Sequence, residues 1–342
     1  MNRLEIATAR PTWTKIPKGT RPGFKSINGA KGPTCSNPGS ESTLNLQISM
    51  PIIYPQTRII FQTDPAGTDK TIFESFFDAI DSIYCQKTSG QCGVAKPRTV
   101  VSFSYGAAEY RGSVQAEQRQ CNEFMKLGLQ GTTVVSANGD DGVAIGSEPC
   151  LGKNIFVPGS AVGCPYVTSV GGTFLPVVRQ PEQAASHFSS GGDFSNILST
   201  TDYQRAVVDT YFVKNDPGYP SCNTTDGVIP ETGAVYNRAG RGYPDVSALA
   251  EHGMNVRQGR GKLEGGPSMA TPIIASVVTR INEERLNANK TTIGFVNPVL
   301  YQHPEAFNDV LIGDQSKGGR TELRHQARVS IQVSMRRLAG IL

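Results

Sequence analysis

Ser268 stands in the stretch EGGPSMATP (264–272), crowded by small residues and followed by an apolar run. A serine hydroxyl attacks a carbonyl only when a base takes its proton and a donor steadies the oxyanion that forms. Small neighbours leave room for a substrate, and a helix beginning here would bring partial positive charge to the hydroxyl. The same residues also suit a serine that merely caps a helix. The spacing is not the G-x-S-x-G elbow of another hydrolase class. Two further polar groupings sit where chemistry could use them. Glu41 and Asn45 in ESTLNLQ fall one above the other at i, i+4, and Asp140 lies in a Gly/Asp loop, NGDDG, that ends an apolar run. That loop also reads as an ordinary turn.

The elements that must carry these residues can be traced by period. Residues 41–49 predict a helical turn, 57–63 a short buried strand, and 71–85 a helix with Ile72, Phe76, Ile80 and Ile83 on one face. RTVVSFSYG (98–106) predicts a strand ending in a glycine turn, followed by a helix over AEQRQCNEFMKLGLQG. TTVVSANGDDG (132–142), CPYVTSVGGTF (164–174) and GYPDVSALA (242–250) predict further strands. Residues 268–290, with Ile274, Val277, Val278 and Ile281, predict a buried helix. Such alternation argues for an α/β fold, a mostly parallel sheet with helices on both faces. Its functional loops belong beyond the carboxyl ends of the strands, which is where 104–109 and 137–142 fall. Residues 1–40, rich in Gly, Pro, Lys and Ser, read as irregular.

The 342 residues fit one large domain, and 38% hydrophobic residues with a mean hydropathy of −0.27 suit a soluble core. No stretch is long and apolar enough for a membrane span. The net charge of +4 is a property of residues 317–342, where Lys317, Arg320, Arg324, Arg328, Arg336 and Arg337 face Glu322 alone. Without a basic stripe in the body, nucleic acid is not an expected partner. The seven cysteines form no CxxC pair and Cys/His metal spacing is absent, so zinc is not expected, and Cys85–Cys92 and Cys150–Cys164 are the expected local disulfides. Sequons at Asn223 and Asn289 lean towards secretion, although MNRLEIATARPTWTKIP carries no apolar leader.

The serine motif resembles that of the subtilisin superfamily. A subtilisin needs an upstream histidine base, and the four histidines, His187, His252, His303 and His325, do not supply one in that order. The chain is similar instead to the sedolisin family, the serine-carboxyl peptidases, which use a glutamate. ESTLNLQ, VVSFSYGAAE, SANGDDGV, CPYVTSVGGT, SSGGDFSN, RGYPDVSA and IGFVNPVLY each resemble a family phrase, in family order, over roughly residues 25–315. The resemblance implies a subtilisin-like fold and cleavage of peptides or proteins at acidic pH, of endopeptidase or tripeptidyl-peptidase type. It assigns Ser268 as nucleophile, Glu41 as general base and Asp140 as the oxyanion residue. The supporting aspartate falls on Asn45, which can hold Glu41 by a hydrogen bond but cannot share its charge. Impaired catalysis, or a relative that keeps the fold without turnover, is the alternative.

The family also implies one calcium site, beginning here at Asp309 and Val310, with Asp314 nearby. The glycine-rich loop that would complete it is missing, so the site is expected to be incomplete. Residues 1–316 are therefore read as the peptidase domain, with 1–24 irregular, and 317–342 as a divergent basic tail. The resemblance further implies a secreted, monomeric protein made as a glycosylated zymogen, and a sequence truncated at both ends.

Overall fold

The computed structural model describes residues 16–17, 19–34, 38–64, 70–85, 91–145, 155–176, 180–224, 228–229, 233–313 and the backbone of 333–335. Its strands are β1 Gly23–Ile27, β2 Ile59–Thr63, β3 Val100–Phe103, β4 Thr133–Ala137, β5 Thr168–Phe174, β6 Gln183–Ala184, β7 Asp193–Ser199, β8 Ser221–Cys222, β9 Tyr236–Asn237, β10 Gly240–Tyr243, β11 Val246–Leu249, β12 Gly253–Arg257, β13 Arg260–Glu264, β14 Phe307–Asp309 and β15 Val333–Met335. Its helices are α1 Ser40–Ile53, α2 Ile72–Ile80, α3 Val114–Leu129, α4 Ser160–Gly163, α5 Asp202–Asn215, α6 Pro267–Asn287 and α7 Asn297–Gln302.

The central sheet runs β14-β15-β11-β5-β4-β3, with β6 antiparallel on the end of β5. The pairings β3/β4, β4/β5, β5/β11 and β11/β15 are parallel. Parallel strands need helical crossovers, and these cover both faces. Every residue of β4 is consequently buried. Adjacent residues of a strand point to opposite faces. Val134 accordingly packs with Phe73, Phe76, Phe77 and Phe124 of α2 and α3, whereas Val135 packs with Val170, Val246, Ala270 and Ile274 against α6.

Several expectations need correction. Gly23–Ile27, inside the stretch read as irregular, is a strand in parallel register with β2. β2 is half-buried rather than buried. α2 stops at Ile80, and Ile83, expected on its apolar face, is 87% exposed. The buried face of α6 runs through Ile274, Val278 and Asn282, and Ile281, expected on it, is exposed. Cys85–Cys92 forms as expected, but Cys164 pairs with Cys121, joining α3 to the turn before β5. Cys35 and Cys150 lie outside the described residues, as do Asp314 and most of 317–342. Within that last segment, Val333–Met335 adds a strand between β11 and β14. No described helix is long and apolar enough to cross a membrane.

Candidate active site

α6 begins immediately beyond the β12–β13 hairpin. The hairpin turns at Gln258 (φ 51°) and Gly259 (φ 72°), the left-handed pair that suits a tight two-residue connection. β13 ends at Glu264, and two glycines then lead into the helix. Gly266 has φ 116°, a conformation L side chains avoid, and a Cβ there would stand 2.9 Å from Asp140 Oδ1. Pro267 takes the first helical position, where its missing N–H costs nothing. The cap residue is Gly266, so Ser268 is not the helix cap. Among the described residues its hydroxyl has no hydrogen-bond partner, and it is left at the positive end of α6.

Glu41 lies in the first turn of α1, and this helix is fixed to the hairpin below it by Gln47. Gln47 Nε2 donates to the Val256 carbonyl at 2.7 Å, and the Val256 N–H donates to Gln47 Oε1 at 3.0 Å. Glu264 ties the other end. Its carboxylate accepts from Arg257 at 2.8 Å, from Asn255 and, more weakly, from Ser40 at 3.4 Å. The two helices carrying Glu41 and Ser268 are thus braced on one hairpin.

Asn45 Nδ2 donates both to the Glu41 carbonyl (2.8 Å) and to Glu41 Oε1 (2.7 Å). Its Oδ1 accepts from the Ser104 hydroxyl at 2.9 Å, and the same hydroxyl lies 3.5 Å from the Ser268 carbonyl. Ser104, just past the end of β3, thereby links the Glu41–Asn45 pair to the backbone of the serine. It was not singled out from the sequence, because a serine at a strand end has no distinguishing pattern. Its only signal was membership of the SFSYG phrase.

Asp140 follows β4. The loop that carries it is braced by 189–191: Asn138 Nδ2 donates to Ser190 Oγ (3.1 Å) and to the Gly191 carbonyl, and the Gly191 N–H donates to the Gly139 carbonyl (2.8 Å). Gly191 approaches Asn138 so closely that no side chain fits between them. Asp140 opens to a cleft of about 350 Å³ shared with His187, Glu251, His252 and Gly266. Desolvation on the side facing the protein, with the charges of Asp141 and Glu41 added, raises its pKa to about 6. It is therefore protonated, and able to donate, in acidic solution.

The four residues expected from sequence converge on one region by these contacts. Asp309 and Val310 do not join them. Asp309 is the exposed last residue of β14, and Val310 follows it. Among the described residues neither belongs to a group of three His, Cys, Asp or Glu side chains close enough to share a metal. Among the described residues, His187, Glu251 and His252 do form such a group.

Three relatives bear on this arrangement. The chain is 46% identical over 334 residues to tripeptidyl-peptidase sed1 of Aspergillus fumigatus, covering 87% of this chain and 52% of that protein. It is 39% identical over 341 residues to aorsin of Aspergillus oryzae, covering 87% of this chain and 52% of that protein. Its fold matches that of a Pseudomonas sedolisin, a serine-carboxyl proteinase, with a TM-score of 0.60 at 19% identity over 86% of this chain and 76% of that one. The chain belongs to the sedolisin family. No family model matches it. This sedolisin spans about half the length of the curated relatives it matches. The fold agrees with the expected subtilisin-like α/β architecture.

Proposed function

We propose that the chain is the catalytic portion of a serine-carboxyl peptidase that cleaves peptides or proteins in acidic solution. Ser268 Oγ attacks the scissile carbonyl carbon and its proton passes to Glu41. Asp140, protonated, donates to the oxyanion. Glu41 then returns the proton to the leaving amine as the C–N bond breaks, and water repeats the cycle to release the acyl group. The observation that carries this reading is the Glu41–Asn45–Ser104 chain of hydrogen bonds ending on the backbone of Ser268. Asn45 holds the Glu41 carboxylate in place as a donor. Hydrogen bonds of this kind are often long in a free enzyme and close only around substrate.

The second reading is a relative without turnover. It is favoured by one feature: the hydrogen bond of Glu41 goes to Asn45, not to Ser268. Assaying the full chain on a peptide mixture at pH 3–5, with S268A as control, separates the two. Cleavage by the parent and none by S268A supports the peptidase. No cleavage by the parent or by N45D overturns it. Peptides with free and blocked amino termini in the same mixture distinguish tripeptidyl release from internal cleavage.

One calcium site, incomplete in this chain, is part of the same reading: Asp309 would give a carboxylate and Val310 a carbonyl, holding structure and taking part in no chemical step. Secretion of the intact protein as a glycosylated zymogen is part of the proposal. Two disulfides suit an oxidising compartment, and both sequon residues, Asn223 and Asn289, are exposed. A monomer is the expected state.

A further inference from the structure

The cleft that Asp140 and Gly266 line also carries an arrangement that the peptidase chemistry does not use. Glu251 and His252 sit between β11 and β12, and His187 lies in the loop beyond β6. One ligand atom from each lies within 4.8 Å of the other two. The glutamate is the fixed member. Its side chain is only 3% exposed, and its Oε1 accepts from the backbone N–H groups of Ser186 and His187, the latter at 2.8 Å. Its Oε2 lies 2.6 Å from His187 Nδ1 and accepts weakly from the Ser186 hydroxyl at 3.4 Å. The histidines are the accessible members. The His187 side chain is 67% exposed, and the two rings meet edge to face with centroids 4.9 Å apart. His252 is held there by a left-handed backbone (φ 60°), which a non-glycine residue adopts at some cost. The site is thus a buried, pre-oriented carboxylate with two solvent-facing imidazoles converging above it.

We propose that His187, His252 and Glu251 bind a divalent transition-metal ion of the zinc class. Two imidazoles and one carboxylate form the His₂Glu donor set that leaves a fourth, open position on zinc. Imidazole nitrogen excludes calcium and magnesium as the preferred ion and selects among the later first-row metals. Donor pairs around tetrahedral zinc stand roughly 3–3.5 Å apart. Rotation of the two exposed rings closes the remaining gap, while the glutamate keeps its backbone hydrogen bonds. The ion occupies the cleft that Asp140 and Gly266 also line. Its bound form therefore obstructs that cleft, a consequence that rests on the peptidase reading, whereas the binding itself does not.

The test is calorimetric titration of the full chain with zinc at neutral pH, paired with the visible absorption of the cobalt(II) adduct. One ion per chain with micromolar or tighter affinity is expected, with intense tetrahedral-type cobalt bands. H187A and H252A should each weaken binding at least tenfold and bleach those bands, with circular dichroism and thermal unfolding unchanged. Absence of binding by the parent at 100-fold excess of zinc overturns the site, as does retention of parental affinity by both variants. If the variants unfold, H187N and H252N, which keep the side-chain size and polarity, take their place under the same criteria. Zinc that binds without slowing peptide cleavage leaves the metal site standing and removes only the obstruction.

Discussion

Asn45 supplies Glu41 with a neutral donor at the position where a second carboxylate would supply negative charge. A nearby negative charge makes a carboxylate harder to ionise and a better base once ionised. N45D should therefore move the acidic limb of the kcat/KM profile to higher pH and increase kcat, and a pH series on one peptide checks both. Asp140 has the opposite requirement, since it must keep its proton. With a pKa of about 6, its donor is present below that value and is lost as pH rises through it. D140N carries an amide donor at every pH and should abolish the limb near pH 6, whereas D140A should lower kcat by about 10²–10³-fold. The proposed roles of Ser268, Glu41 and Asp140 come from a resemblance in short phrases. Ser104 was not legible in the sequence, and neither was the His187–Glu251 pair, because 64 positions separate its members and only the folded sheet end joins them.

At the scale of elements, the position of Glu41 depends on how α1 is seated, by packing on α6 through buried residues such as Leu44 and Leu46 and by the paired hydrogen bonds of Gln47 to Val256. Q47A removes both hydrogen bonds. It should cost about 1–2 kcal/mol of stability and, by loosening the base, reduce kcat/KM roughly tenfold or more. Urea unfolding and steady-state kinetics on the same preparation measure the two effects. α1, α3, α6 and strands β3, β4, β5 and β11 were visible in the sequence because period and burial agree locally. β1 was not: GFKSI has an exposed middle, and it is a strand only because Ile59–Thr63 lies beside it. The Cys121–Cys164 bond was missed for the same reason. Nearness along the chain favoured Cys150, and packing of α3 against the central sheet brings Cys121 instead.

At the scale of the molecule, burial acts strongly on three of the enclosed carboxyl groups. Burial raises Glu109 to about 8 and Glu117 to about 7, and holds Asp193 well above the ordinary carboxylate range. Their hydrogen bonds, from Ser195 and the Asn196 N–H to Glu109 and from Ser160 to Glu117, offset only part of this. A folded-state pKa above the unfolded one means the native chain holds extra protons between the two values. The associated stability is complete below the unfolded value near 4.5 and disappears as pH rises through 7 to 8. The melting temperature should fall by about 5 °C or more between pH 4.5 and 8, and E117Q should flatten that slope in differential scanning calorimetry. Glu109 and Glu117 thus keep their protons over the same acidic range as Asp140. The strand Val333–Met335 has a different bearing, on biosynthesis. β11 is inside the sheet only because Ser334 lies beside Ser247, so a chain emerging from the ribosome carries β11 with one open edge until residue 334 has been made. An open edge templates association with other chains. The residues between Ser247 and Ser334 must therefore be made before that edge is covered.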